Sequence, residues 1–267
     1  MITTLAAWHY PHRTVEENII YFAEKGFRGI SLLGSHTADA LREGRGEEIA
    51  RLIKKYDLTL TVHGKMPSTH SAEDVAAFEE EICLFGEWQK AYGAMTILSF
   101  DVSRKIRDNI VSYGQFVLDT VPDITVAVED VGLNVDECRQ MKTLGQNRRF
   151  ACLVDIGHMF LRLTAQKKDD EWSKEEWQNR FVNALQAMPL SIVEIHLHNN
   201  DGLRDMHWFL EEGNLDIPMI SRVLDVIGYD QVLTIESAPG FQFPCYGEEA
   251  DTRILKTWNY WKGLRGE

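Results

Sequence analysis

At 267 residues and 44% hydrophobic content the chain can bury a large core, and an α/β barrel of this length is ordinarily one domain, here residues 1–267. A formal net charge of −13 argues against a nucleic-acid partner, because binding to a phosphate backbone rests on cationic contacts and counterion release. Cys83, Cys138, Cys152 and Cys245 are far apart, no basic segment leads into an apolar run at the N-terminus, and no stretch approaches roughly eighteen apolar residues. A disulfide framework, a thiolate zinc finger, secretion and a membrane span are thereby disfavoured, and the reducing cytoplasm is the expected location.

Hydrophobic alternation predicts a first strand over about residues 2–8. Thr14-Val-Glu-Glu17 reads as a capping box opening an amphipathic helix through Ala23 that stops near Gly26. After a second strand at about 28–33, Ile49, Leu52 and Ile53 among the charges of Glu47–Lys55 mark one buried helical face. Strands at about 58–63 and 95–100 bracket a helix over Ser71–Tyr92, and Lys105–Thr120 is predicted helical before a strand at about 124–129. The helix Val135–Leu144, a sixth strand at about 150–155, the helix Lys174–Met188 and a seventh strand at about 191–197 follow. The helix Met219–Ile227, an eighth strand at about 231–236 and the helix Glu248–Leu264 complete the set. The charged segment Lys167–Glu176 reads as a solvated loop running into a polar helix face. Strand then helix, eight times, with no linker or low-complexity segment, predicts a single-domain (β/α)8 barrel.

Four of these strands end in an ionisable side chain: Val126-Ala-Val-Glu129, Cys152-Leu-Val-Asp155, Ile192-Val-Glu-Ile-His196 and Val232-Leu-Thr-Ile-Glu236. In a parallel barrel the strand C-termini surround the mouth. Alternation groups Thr125, Ala127 and Glu129, then Ala151, Leu153 and Asp155, then Glu194, His196 and His198, then Val232, Thr234 and Glu236. Glu129, Asp155, His196 and Glu236 are therefore expected to converge. Three crowded carboxylates repel one another unless a divalent cation neutralises them, and an oxygen-rich set with one imidazole suits Mn²⁺, Zn²⁺, Mg²⁺ or Co²⁺. His63 closes the third strand, Asp101 follows the fourth, His158 lies three residues beyond Asp155, and Asp205 and His207 share one loop. These five are candidates for additional metal ligands, substrate contacts or groups that orient the ligands.

The pattern resembles the xylose-isomerase-like barrels, which include sugar isomerases, ketose epimerases, inosose dehydratases and the endonuclease-four type of apurinic endonuclease. The resemblance rests on Val128-Glu129-Asp130, Asp155-Ile-Gly-His158, Glu236, and the block from His196-Leu-His-Asn-Asn-Asp201-Gly through Asp205-Met-His207 to Glu212-Gly213-Asn-Leu-Asp216. It departs from the family at Asp101, where endonuclease-type members carry histidine, at Glu211 in place of a glycine, at Asn199 in place of aspartate, and at His198 where a lysine is frequent.

The resemblance implies a metal-dependent isomerase or epimerase of a small sugar or polyol derivative. One divalent ion would be held by Glu129, Asp155, His196 and Glu236, with proton transfer through an enediolate. Glu129 and Glu236 would be the acid/base pair, His158 would orient a substrate hydroxyl, and Trp8 and His9 would wall or hydrogen-bond the sugar. Lys65, Arg104, Lys105 and Arg204 sit in loops on the same face, where they can hold a phosphate or carboxylate. Two alternatives stay open: a multi-zinc phosphoester hydrolase of the endonuclease-four type, and a barrel that binds sugar or metal without turnover. Oligomeric state is not legible, because apolar residues on outer helices serve core or interface equally.

Overall fold

The alternating stretches form eight strands in a computed structural model that describes residues 1–10, 12–102, 109–129, 142–143, 146–166, 172–238 and 247–266, without the Trp8 side chain. The strands are β1 (Ile2–Leu5), β2 (Gly29–Leu33), β3 (Thr59–Lys65), β4 (Ile97–Asp101), β5 (Thr125–Glu129), β6 (Phe150–Asp155), β7 (Ile192–Leu197) and β8 (Val232–Ile235). They run in the order β1-β8-β7-β6-β5-β4-β3-β2, all neighbours parallel. A parallel bridge from Ala6 to Ser31 brings the ends of the sheet together, giving a nearly closed (β/α)8 barrel.

The described helices are α1 (Val15–Glu24), α2 (Gly34–Arg42), α3 (Gly46–Lys55), α4 (Ala72–Tyr92), α5 (Ile110–Thr120), α6 (Ile156–Gln166), α7 (Lys174–Gln186), α8 (Ile217–Val226) and α9 (Glu248–Arg265). Capping boxes open α1 at Thr14 and α7 at Ser173, each hydroxyl accepting from the backbone of a glutamate that reaches back. Among the described residues no helix is long and apolar enough to cross a membrane.

Two helices were not expected from the sequence. α2 starts directly on the strand end Leu33 with no side-chain cap, and its buried face is made of Thr37, Ala38 and Ala40 rather than large apolar residues. α6 follows Asp155 without an intervening loop. β1 is shorter than expected: it ends at Leu5, and Ala7–His9 form a 3₁₀ turn. β8 stops at Ile235, so Glu236 is the first residue beyond it. Of the expected helix Val135–Leu144 only residues 142 and 143 are described, both helical; Lys105, Arg104, Asp130, Cys138 and Cys245 lie outside the described residues, as does most of the charged segment before α7.

Apolar residues fill two zones. The larger lies between strands and helices; inside the barrel Ile97, Ala127, Leu153 and Val232 form a buried cluster with Val193 packed on it. Val193 gets there through a bulge: the β6–β7 register steps from Cys152–Ile192 to Leu153–Glu194, so β7 carries one extra residue. β7 thus turns two consecutive side chains inward, Val193 at the floor and Glu194 above it.

The approach to β4 depends on one side chain. Buried Gln89 of α4 donates its amide to Met95 O at 3.0 Å and accepts from Met95 N at 2.9 Å, satisfying both backbone groups of a buried residue. Gln89→Leu leaves both unpaired, at about 1–3 kcal/mol each. Equilibrium urea unfolding is expected to show a loss of about 3 kcal/mol; an unchanged midpoint would refute the role of this clamp.

Candidate metal centre

The mouth of the barrel gathers the strand-end groups. Glu129 and Asp155 close β5 and β6, His196 is the penultimate residue of β7 and Glu236 follows β8; each of the four is buried. One ligand atom from each of Asp155, His196 and Glu236 lies within 4.8 Å of the others, and the same holds for Glu129, Asp155 and His158. That spacing is about twice a metal–oxygen bond, which is what shared coordination requires. Asp155 belongs to both groups.

His196 Nδ1 is 3.0 Å from Glu236 Oε2. Asp155 Oδ1 accepts the backbone N–H of His158 at 2.7 Å, capping the first turn of α6 and fixing the carboxylate. The His158 ring lies between two acids, with Nδ1 2.9 Å from Glu129 Oε1 and Nε2 3.0 Å from Asp205 Oδ2. His63 Nδ1 meets Ser99 Oγ at 3.1 Å, and its Nε2 is 3.4 Å from Asp101 and 3.9 Å from Glu129. His207 Nε2 is 3.3 Å from Asp205 Oδ1. All five outer candidates therefore line the same mouth.

His9 lies on the 3₁₀ turn after β1, its ring 5.8 Å from that of His207, and it forms a third group with His207 and Glu236. Lys65 is exposed at the end of β3, and Arg204 is bound to Asp201 at 2.8 Å. Neither basic side chain has the buried setting of the acids.

Two residues at the centre were not singled out by the sequence, although both lie on the inward parity of β7 with His196. His198, completely buried, directs Nε2 at Asp155 Oδ1 (3.3 Å) and Asp205 Oδ1 (3.6 Å) and stacks on His207 at 3.9 Å between centroids. With His158, Asp205 and His207 it makes a further donor group. Gly157 leaves room for it, since a Cβ there would sit 2.2 Å from the His198 ring. Glu194 lies under His196, with its Oε1 3.6 Å from Nε2.

The departures at Asn199 and Glu211 have structural explanations. The Asn199 amide donates to Leu210 O (2.9 Å) and Leu215 O (3.2 Å), while its Oδ1 accepts from the N–H groups of Asn200 (2.8 Å) and Leu215 (3.0 Å). An aspartate cannot make the two donations. These bonds tie down both ends of the loop that carries Asp205 and His207, and Gly213 (φ 135°) lies so close that a Cβ would be 2.4 Å from Asn199 Oδ1. Glu211 reaches α9, accepting from Thr257 Oγ1 at 2.5 Å with Lys256 3.3 Å away.

Burial and charge pull the titrations apart. The Asp155 carboxylate, with burial outweighed by His158 and then His198, drives His158 up to about 12 and is itself held well below its usual range. Burial pushes Glu129 well above the ordinary carboxyl value despite its bond from His158. Against burial, His196 and His207 hold Glu236 down at about 2, and Glu236 with Asp205 lifts His207 to about 9. His9 is pushed down to about 3 by burial, with Glu236 opposing, so its ring is neutral at pH 7.

No protein-family model matches the chain. A curated relative, the uncharacterized protein MJ1311 of Methanocaldococcus jannaschii, is 39% identical over 57 residues, 21% of this chain and 20% of that protein. The matched stretch thus spans about a fifth of the relative's length. Among solved structures, a D-tagatose 3-epimerase-like protein is 17% identical with TM-score 0.72, covering 100% of this chain and 99% of that one. The D-allulose 3-epimerase of Methylomonas sp. in complex with D-allulose is 14% identical, TM-score 0.68, over 99% and 97%. A xylose isomerase domain protein of Alicyclobacillus acidocaldarius is 15% identical, TM-score 0.67, over 100% of both chains. At these identities the likeness is one of fold: the chain shares the (β/α)8 barrel of these proteins over its whole length.

Two outcomes follow. Asn199→Asp sets a carboxylate against two carbonyls and is expected to cost about 2–4 kcal/mol at pH 7, less at acid pH where the carboxyl is protonated; equal stability of variant and wild type at pH 7 would remove the loop-anchoring role. For the metal-free protein, the raised pKa of His207 contributes stability that is fully present below pH 6.5 and is lost as pH rises through about 9. The lowered pKa of Glu236 contributes stability present above pH 4.5 and lost as pH falls through about 2. Denaturation of the metal-free protein from pH 2 to 10 is expected to give a plateau between these windows, and a flat profile would contradict both assignments.

Proposed function

We propose that this protein is a divalent-metal-dependent epimerase or isomerase of a small ketose or related sugar or polyol derivative. The observation that carries the reading is the double membership of Asp155: it shares one donor group with Glu129 and another with His196 and Glu236. The two glutamates come from β5 and β8, three strands apart, and so flank one position from two directions. Three buried carboxylates and an imidazole suit Mn²⁺, Co²⁺, Mg²⁺ or Zn²⁺. Glu129, Asp155, His196 and Glu236 would hold that ion. When bound, it would polarise the sugar carbonyl and so acidify the neighbouring C–H.

The remaining work falls to the protein's own groups. Glu236, with its low pKa, takes the proton from the carbon beside the carbonyl. Glu129, whose pKa is raised, delivers a proton to the opposite face of that carbon, and the configuration inverts. Two carboxyls with pKa values pushed apart can divide acid and base roles in this way. His158 holds Glu129 from one side and Asp205 from the other, where it can also meet a substrate hydroxyl. Neutral His9 offers a further hydrogen bond at the rim. Lys65 would remain a solvent-side contact, whereas Arg204 is engaged by Asp201. The wide spacing of Cys83, Cys138, Cys152 and Cys245 along the chain goes with a reducing cytoplasm.

A second reading, multi-zinc phosphoester hydrolysis, draws on the further donor groups His158/His198/Asp205/His207 and His63/Asp101/Glu129. The net charge of −13 weighs against a nucleic-acid substrate.

The test is a panel of ketoses, D-allulose and D-tagatose among them, incubated with the Mn²⁺- or Co²⁺-loaded protein in D₂O, with epimers and C–H exchange followed by NMR. Turnover that stops on chelation is expected, as is a loss of about 10²–10⁴-fold in Glu236→Gln without a change of fold. Wild-type turnover in that variant would eliminate the glutamate pair. Two or three tightly held zinc ions per chain, with hydrolysis of phosphodiesters and no epimer formed, would transfer the reading to the hydrolase.

A further inference from the structure

Beneath the candidate centre lies a carboxylate with no part in the chemistry above. Glu194 is completely buried on the inward face of β7, two residues before His196. Its Oε1 accepts from Thr61 Oγ1 at 3.0 Å and from Thr234 Oγ1 at 2.8 Å, and Thr234 in turn meets Thr4 Oγ1 at 2.7 Å. Hydroxyls from β1, β3 and β8 thereby fix the position of one oxygen. That same oxygen is 3.6 Å from His196 Nε2, while the other ring nitrogen, Nδ1, faces Glu236 at 3.0 Å.

Stability alone is a poor reason for this arrangement. A buried carboxylate carries a desolvation penalty of several kcal/mol, and the Oε2 atom of Glu194 has no hydrogen-bond partner among the described residues. A methionine would fill similar volume without either cost. The position of Oε1 relative to the imidazole supplies the missing reason. A neutral imidazole has one N–H and one bare nitrogen, and the partner of one nitrogen decides the state of the other.

We propose that Glu194 is a positioning residue: its Oε1, 3.6 Å from His196 Nε2 in the metal-free protein, closes by a few tenths of an ångström to accept that N–H when a divalent cation shared with Asp155 and Glu236 takes the Nδ1 lone pair. Its negative charge also makes Nδ1 a stronger donor. The threonine hydroxyls hold Oε1 on the Nε2 side of the ring. This assignment rests on the metal-dependent reading above, but not on the identity of the sugar.

The test measures zinc affinity by competition with a chelating dye, beside thermal unfolding, in the wild-type chain and in Glu194→Gln and Glu194→Met. The glutamine carbonyl still accepts from Nε2 and from both threonines but lacks the charge, and about a 10-fold weaker affinity is expected; methionine removes the acceptor, and about 100-fold is expected. A purely structural role would move the unfolding temperature and leave zinc affinity alone. Long-range ¹H–¹⁵N correlation on the zinc-loaded wild-type chain needs no variant, and should find the His196 proton on Nε2. Wild-type affinity in a folded Glu194→Met variant, or the proton on Nδ1, would overturn the proposal and leave the metal reading standing. A wild-type chain that binds neither Zn²⁺ nor Mn²⁺ would overturn both.

Discussion

Like-charge crowding at the barrel mouth is the constraint on which the rest of the molecule turns. Glu129, Asp155, Glu194 and Glu236 are all withdrawn from water, with Asp101 and Asp205 at the rim. Such a set is tolerable only with compensating positive charge. In the metal-free protein the compensation is protonic: His158 and His207 are kept charged well above the ordinary range of imidazole by the acids they face. A divalent cation would displace such protons, so binding and deprotonation are one process at this site. On the proposed reading, the imidazoles around the rim would act as a placeholder for the cation, holding the acids in position before it arrived.

The same constraint explains why the connecting segments are so tightly specified. Asp155 is both a member of two donor groups and the cap of α6, so the helix start and the chemistry share one carboxylate. The loop that brings Asp205 and His207 back to the mouth is anchored from within by Asn199, which the family pattern alone would have marked as a loss. Its value lies in being able to donate as well as accept. Glu211, another departure, belongs to the packing of that loop on α9.

The barrel was legible because its strands are short apolar runs that end in ionisable residues, and counting alternation back from Glu129, Asp155, His196 and Glu236 places each inward. The same counting reached Glu194 and His198 but gave no reason to assign them work: a carboxylate below a histidine and an imidazole stacked on another become meaningful only when β1, β3 and β8 supply the threonines and the return loop supplies His207. α2 escaped notice because a helix that buries Thr37, Ala38 and Ala40 against its neighbours has no large-residue periodicity. α6 escaped because it begins where the strand ends, with no loop to punctuate the sequence. The bulge at Val193 was invisible for a similar reason. Strict alternation would have turned Ile192 inward, whereas the extra residue sends Val193 there instead.

That extra valine gives the lumen a bottom. With Ile97, Ala127, Leu153 and Val232 it seals the barrel below Glu194, so the interior is a blind well and not a conduit. Whatever reaches the acids must pass the rim, and whatever lies deepest must have come first. Molecules in such a well would obey a stack discipline, last in and first out: an ion seated among the strand ends would be trapped for as long as a larger ligand covered it, and would outlast the exchange of whatever lay above it.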